Sequence, residues 1–352
     1  IWLGLVGSEM CIRDSFEIAT ENNEALVLHT SGTTSRPKVV PLTNKNIFSS
    51  ATNIANSLQL SSQDHCYNIM PLFHIHGLIA VLSSSINAGA SVYASSGFNA
   101  LKFLEKADKE SITWYSGVPT MHQAILMRAK KNPKLAEELS LRFIRSSSAS
   151  LPPAVFDELK KIFKTTVIEA YGMTEATHQM TSNPMPPEKQ KAGFVGKPAG
   201  PEVCIMDGQG NKLDTGVDGE VCIRGNNVTN GYENNEEANR TAFINGWFRT
   251  GDQGHFDDEG YLKISGRLKE IINRGGEKVS PLEVDNILME HEAVEQVVTF
   301  AVKDNLLGEA IGVAIVLKSG IDCNEIDIKN YASKHLADFK IPKYIRFLEE
   351  IP

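Results

Sequence analysis

One stretch narrows the choices for this chain more than any other: residues 25–38, ALVLHTSGTTSRPK. Its apolar opening, residues 25–29, has the length and composition of a short buried strand. The turn that follows is crowded with hydroxyls, holds Gly32, and ends in Lys38. Hydroxyls and turn N–H groups can wrap a polyphosphate, and Lys38 can neutralise it as a mobile point charge. The pattern GxxxxGK[ST] is absent, so this is not a Walker A loop. Standing alone, the segment reads equally well as a solvated polar turn.

Downstream the hydrophobic period alternates. Thr43 is placed to cap a helix carrying Ile47, Ile54 and Leu58 on one face. Pro119 suits the first turn of a helix running to Asn132. Behind Pro152 and Pro153, the residues Val155, Phe156, Leu159, Ile162 and Phe163 follow the 3.6-residue period. Residues 167–169 are then a candidate strand entering another polar loop. From about residue 182 to 245, short strands such as 203–206 and 220–224 alternate with Gly, Asn and Pro turns. Beyond Ile272 the residues Ser280, Pro281 and Glu283 carry a capping-box signature ahead of a helix to His291. Strands are expected at 297–302 and 311–317, and a helix near 325–336. Helices alternating with strands imply an α/β module. The Gly- and charge-rich stretch 267–276 separates it from what precedes, which divides the chain into residues 16–268 and 269–352.

Bulk properties exclude some functions. A chain of 352 residues suffices for about two domains. The formal charge of −8 repels nucleic acid and anionic membranes, and no run approaches the length of a membrane span. Cys11, Cys66, Cys204, Cys222 and Cys323 are dispersed with no CxxC pair, which fits reduced thiols rather than a zinc site or a disulfide framework. Residues 1–11 fail as a signal peptide, because Gly4, Gly7 and Glu9 interrupt them and no basic residue precedes them. Residues 1–15, IWLGLVGSEMCIRDS, read as translated sequencing-adapter sequence and stand outside the fold argument.

Three further segments carry chemistry. In YGMTE, Tyr171 offers a flat ring for a purine, Thr174 a hydroxyl for a phosphate oxygen, and Glu175 a hard oxygen ligand for Mg²⁺. Residues 247–252, WFRTGD, place the Asp252 carboxylate at an expected turn, suited to ribose hydroxyls. Gly266, Arg267, Leu268 and Lys269 open the second unit, with Gly275 and Gly276 just after them. Each segment separately reads as a turn; their order along one chain argues for a shared nucleotide.

In these motifs the chain resembles the AMP-binding superfamily of acyl-CoA synthetases, firefly luciferases and peptide-synthetase adenylation domains, from about residue 24 to 352. The resemblance implies an α/β fold with a large mixed-sheet N-terminal domain and a small α/β C-terminal domain, both incomplete here. It implies an ATP-dependent acid–CoA ligase that forms an acyl-adenylate and then a thioester, with ATP, Mg²⁺ and coenzyme A as partners and with no nucleic acid or membrane. By resemblance Thr30, Ser31, Gly32, Thr33, Thr34 and Lys38 grip phosphate. Ala149, Glu169 and Ala170 are nucleotide-binding and Tyr171 packs on the adenine, while Thr174 and Glu175 serve the α-phosphate and the metal. Asp252 and Arg267 hold the ribose, Lys269 is the hinge of the small domain, and Gly275 and Gly276 admit the CoA arm.

The forms LHTSGTTSRPK, PLFHIHG, IRSSSASL, YGMTEATHQMTSNP and INRGGEKVSP are similar to those of oxalate–CoA ligases, which implies oxalate or another small carboxylate as substrate. His and Ser can donate to such a dianion, so His74, Ser148 and His178 are its expected contacts. His76 and His122 are read as packing residues. A fatty-acid or aryl acid–CoA ligase, a luciferase-like or peptide-synthetase-type enzyme, and a catalytically dead AMP-binding fragment stand as alternatives. Val39 and Ser35 replace glycines common in the family, and Val39 would be strained if its φ had to be positive. The resemblance also implies a missing N-terminal part and a missing lysine motif after Pro352, with a cytoplasmic location or a peroxisomal address carried beyond it. The 352-residue chain is therefore expected to be poorly soluble and to release negligible pyrophosphate from ATP. Robust release from the purified chain would contradict this.

Overall fold

The computed structural model describes residues 19–30 and 37–351. Strand β1 (Glu24–His29) pairs antiparallel with β2 (Val39–Thr43), His29 lying opposite Val39. Ser31, Gly32, Thr33, Thr34 and Ser35 lie outside the described residues, as do residues 1–15. Val39 sits in extended backbone on β2 and is not among the residues with positive φ, so it carries no strain there. Thr43 caps the helix Asn44–Ser57 through a reciprocal capping box with Asn46, which satisfies otherwise orphaned first-turn donors.

The framework is a parallel sheet. Strands β3 (His65–Asn68), β4 (Ser91–Ala94), β5 (Trp114–Gly117), β6 (Phe143–Ser146) and β7 (Thr166–Met173) run parallel in the order β4-β3-β5-β6-β7. Two antiparallel strands, β8 (His178–Ser182) and β9 (Lys197–Pro198), extend the β7 edge. Every residue of β5 and β6 is buried, as expected for strands covered on both faces. Side chains alternate across the sheet. Trp114, Phe143 and Ile168 join a core with Leu42, Ile54 and Ile79 on one side. Tyr115, Ile144 and Val167 join Phe103, Ile125, Phe156 and Leu159 on the other. The helices Pro119–Lys131 and Pro153–Phe163 both carry Pro in their first turn, where a missing N–H costs nothing.

A second sheet contains β10 (Glu202–Met206), β11 (Gly219–Arg224), β12 (Phe243–Ile244), β13 (Trp247–Phe256) and β14 (Leu262–Arg267), ordered β10-β11-β13-β12 with β14 on β13. Two expectations are corrected in these sheets. Residues 247–252 form no turn: they are the first half of β13, and the register with β11 shifts between Glu220 and Cys222. Gly251 has φ +74, so the turn signal belongs to a bulge inside a strand. Likewise the YGMTE segment does not follow its strand. Tyr171, Gly172 and Met173 still belong to β7, and only Thr174–Ala176 leave it, as a short 3₁₀ turn. Gly172 is required there because a Cβ would collide with the His178 carbonyl on β8.

The third sheet draws all its strands from residues 272–347. β15 (Ile272–Arg274), β16 (Glu277–Val279), β17 (Val294–Asp304), β18 (Gly308–Leu317) and β19 (Tyr344–Phe347) pack against the helices Pro281–Met289 and Glu325–His335 around their own core of Val284, Leu288, Ile311, Val313 and Ile328. Among the described residues no helix is long and apolar enough to cross a membrane. Phe143 is fully buried between the central strands, so Phe143→Ala should lower the free energy of unfolding by about 3–5 kcal/mol. Phe73→Ala, at a side chain 83% exposed, should shift it by less than about 0.5 kcal/mol. Equal denaturant midpoints for the two variants would contradict this packing.

Candidate functional site

Ligands of parallel α/β sheets bind beyond the carboxyl ends of the strands. The loops leaving β3, β6 and β7 here border one cleft of about 720 Å³, a size that suits a small-molecule ligand. Thr30, Lys38, His74, Ser148, Thr174, Glu175, His178, Arg267 and Lys269 all line it. Residues expected from five separate segments are thereby gathered around one space.

At one end stand Lys38, Thr174 and Glu175. The Lys38 N–H donates to the Thr30 hydroxyl at 3.3 Å, and its ammonium lies 4.4 Å from the centre of the Tyr232 ring. The Tyr232 hydroxyl donates to Glu175 Oε1 at 2.8 Å, which leaves Oε2 for a hard cation. Among the described residues no cluster of three or more His, Cys, Asp or Glu side chains could hold a metal by itself. A Mg²⁺ at Glu175 would therefore take its other ligands from phosphate oxygens and water, as that ion commonly does. Tyr232 was not visible as a site residue in the sequence, since no local pattern links it to YGMTE.

Along the second wall, Asp252 on β13 lies opposite Arg267 on β14, with Arg267 Nε 3.1 Å from Asp252 Oδ1. The Tyr171 hydroxyl donates to the other oxygen of Asp252. Burial pushes the Asp252 carboxyl above its usual range, while Arg267 pulls it back. Neither Tyr171 nor Asp252 lines the cleft, so the expected purine and ribose contacts stand behind Gly172 and Gly251, which do. A second ion pair, Arg249 with Glu220 at 2.6 Å, also borders the cleft; sequence reasoning missed it because its partners come from different strands.

The third region is polar. Ser148 and His178 both have positive φ, at 72° and 98°. Such backbone costs about 1–3 kcal/mol per residue and concentrates at functional sites. His178 is buried, its Nδ1 has no hydrogen-bond partner, and its ring centre lies 5.1 Å from that of His76. Burial, together with nearby Arg145, holds His178 well below the usual histidine range, so it is neutral at pH 7. His76 is buried out of the cleft between Ser116 and Ser148, and His122 is buried against the Tyr115 hydroxyl.

Some expected residues are not gathered. Ala149 is exposed beside Ser148 but does not line the cleft, and Ala170 is buried with its carbonyl accepting from Ser147. Gly275 and Gly276 form the tight turn between β15 and β16, both at positive φ, with the Gly275 N–H donating to the Leu307 carbonyl. Their conformation serves the hairpin, and they lie off the cleft. Glu169 is buried with Oε1 accepting from the N–H of Leu151, in the loop before the helix Pro153–Phe163, at 3.0 Å, and it does not line the cleft.

Known proteins match nearly the whole chain. A family model described as AMP-binding enzyme matches residues 9–233, and one described as AMP-binding enzyme C-terminal domain matches residues 283–352. An oxalate–CoA ligase of Arabidopsis thaliana is 48% identical over 354 residues, 99% of this chain and 69% of its own length. An oxalate–CoA ligase of Saccharomyces cerevisiae is 48% identical over 336 residues, 95% of this chain and 61% of its own. The crystal structure of ATP-bound MatB from Rhodopseudomonas palustris superposes with a TM-score of 0.88 at 29% identity, over 95% of this chain and 66% of that one. The chain thus spans roughly two thirds of the length of these proteins.

Burial pushes the Glu169 carboxyl up to about 8 from 4.5. Between those values the folded protein holds a proton that the unfolded chain releases, so stability should fall as pH rises through that window and level off above it. Glu169→Gln should flatten that slope in denaturation curves taken from pH 4.5 to 8. An unchanged slope would show that Glu169 ionises normally.

Proposed function

This chain belongs to the AMP-binding enzyme family, and from that premise we propose that it is the greater part of an ATP-dependent acid–CoA ligase whose acid is oxalate. The observation that carries this reading is a single cleft with a phosphate-suited end at Lys38, Thr174 and Glu175 and a polar acyl end at His74, Ser148 and His178. An enzyme for fatty or aryl acids needs an apolar acyl end. The names of the relatives support oxalate as well.

In the proposed reaction one oxalate oxygen attacks the α-phosphorus of ATP, a new P–O bond forms, and the bond to pyrophosphate breaks. Lys38 and the Thr174 hydroxyl counter charge on the transferring group. Mg²⁺, when bound at Glu175, would supply further charge stabilisation there. A CoA thiolate then attacks the acyl carbon, a C–S bond forms, the bond from that carbon to the bridging oxygen breaks, and AMP leaves with that oxygen on its phosphate, giving the thioester. Tyr171, Asp252 and Arg267 are the proposed base and ribose side. Lys269, between β14 and β15, is the proposed pivot by which the 272–347 unit would bring Gly275 and Gly276 to the thiol. Free thiols at Cys66, Cys204, Cys222 and Cys323 suit a reducing, cytoplasmic setting.

The test uses the full-length parent protein with ATP, Mg²⁺ and CoA, offered oxalate, malonate, acetate and octanoate separately, with thioesters read by mass spectrometry. Oxalyl-CoA should be the dominant product. Octanoyl-CoA without oxalyl-CoA would overturn the substrate assignment.

A further inference from the structure

Arg145 is fully buried in β6, and among the described residues no carboxylate pairs with it. Its Nε has no hydrogen-bond partner at all. A buried cation without a counter-ion is costly, so its contacts are informative. Parallel register sets Arg145 beside Ser116 on β5, and Arg145 Nη1 donates to the Ser116 hydroxyl oxygen at 3.3 Å. Nη2 donates to Gln179 Oε1 at 3.2 Å. The Ser116 oxygen lies 2.6 Å from His76 Nε2, and His76 Nδ1 lies 2.9 Å from the Ser148 oxygen. Ser148 is exposed to the cleft.

The direction of every proton in this row follows from its buried end. A guanidinium only donates, so Ser116 accepts from Arg145. The Ser116 proton then has one recorded acceptor, His76 Nε2; if His76 donated there instead, a buried hydroxyl proton would be orphaned. His76 is thereby fixed as the tautomer with hydrogen on Nδ1, which donates to Ser148. Burial and Arg145 hold His76 well below the usual histidine range, so the ring is neutral, as this arrangement requires. With its oxygen engaged, the Ser148 hydroxyl has its proton left for the cleft. Hydrogen bonds aligned this way polarise one another.

We infer that Arg145, Ser116 and His76 form a one-way hydrogen-bond relay that makes Ser148 a polarised donor for the second carboxylate of a dianionic substrate. This rests on the oxalate reading and adds the device that favours a dianion over a monoanion. Arg145 acts through the row and is a positioning residue; it does not touch the substrate. The incoming carboxylate also supplies the negative charge that the buried guanidinium lacks.

The test compares oxalate with glyoxylate, a monoanion of nearly the same size, in the full-length enzyme and in its Arg145→Met, Arg145→Lys and Ser116→Ala variants. Arg145→Met and Ser116→Ala should lower the ratio of kcat/KM for oxalate over glyoxylate by about tenfold to a hundredfold, the worth of one charge-assisted hydrogen bond, with KM for ATP unchanged. Arg145→Lys should recover part of the ratio. If Arg145→Met does not fold, Ser116→Ala and Arg145→Lys decide the matter. A parallel fall with both acids, or a wild-type ratio in Ser116→Ala, would overturn the relay while leaving oxalate as substrate. A wild-type enzyme that ignores oxalate would overturn both.

Discussion

Parallel pairing of β3, β5, β6 and β7 is the constraint from which the rest follows. Parallel strands end on the same edge of a sheet, so the loops after Asn68, Ser146 and Met173 must emerge side by side. Those loops carry His74, Ser148 and Thr174–Glu175. The chain needs no long-range coincidence to bring histidine, serine and glutamate together; the sheet order does it. Strand β8 turns back antiparallel so closely that Gly172 alone fits against the His178 carbonyl. That crossing sets His178 at the floor of the same cleft.

The two strained residues fit this picture. Ser148 and His178 hold positive φ at the points where a strand ends and where one begins. The strain persists because the surroundings are over-determined: β6 is buried on both faces, and Gln179, next to His178, is tied to Arg145, Ser57 and the Ala199 carbonyl. Packing beneath the site thus holds its polar groups in place.

Much of this was legible in the sequence where the signal is local. Caps at Thr43 and Ser280, prolines opening helices, and the apolar stripe after Pro153 each depend on residues within a turn or two. The motifs around Lys38, Thr174 and Arg267 were legible as polar segments, and they share the cleft. What failed was non-local. Residues 247–252 resemble a turn because Gly251 marks a bulge, and only pairing with β11 shows that the strand continues. Tyr232 and the Glu220–Arg249 pair join distant segments, so no spacing announces them. Arg145 is instructive: it shares the sheet face of Phe143 by simple alternation, which would have marked it as buried, but its partners appear only with the register of β5 and β6.

The central claim is that one cleft holds a nucleotide phosphate at Lys38 and Glu175 and an acid with two carboxylates at Ser148 and His178. A crystal structure of the full-length protein with a non-hydrolysable mimic of oxalyl-adenylate tests it most directly. Density is expected with the phosphate between Lys38 and Thr174, and with the free carboxylate within hydrogen-bond reach of the Ser148 hydroxyl. A ligand whose free carboxylate points away from Ser148 and His178 into solvent, or whose phosphate lies outside this cleft, would contradict it.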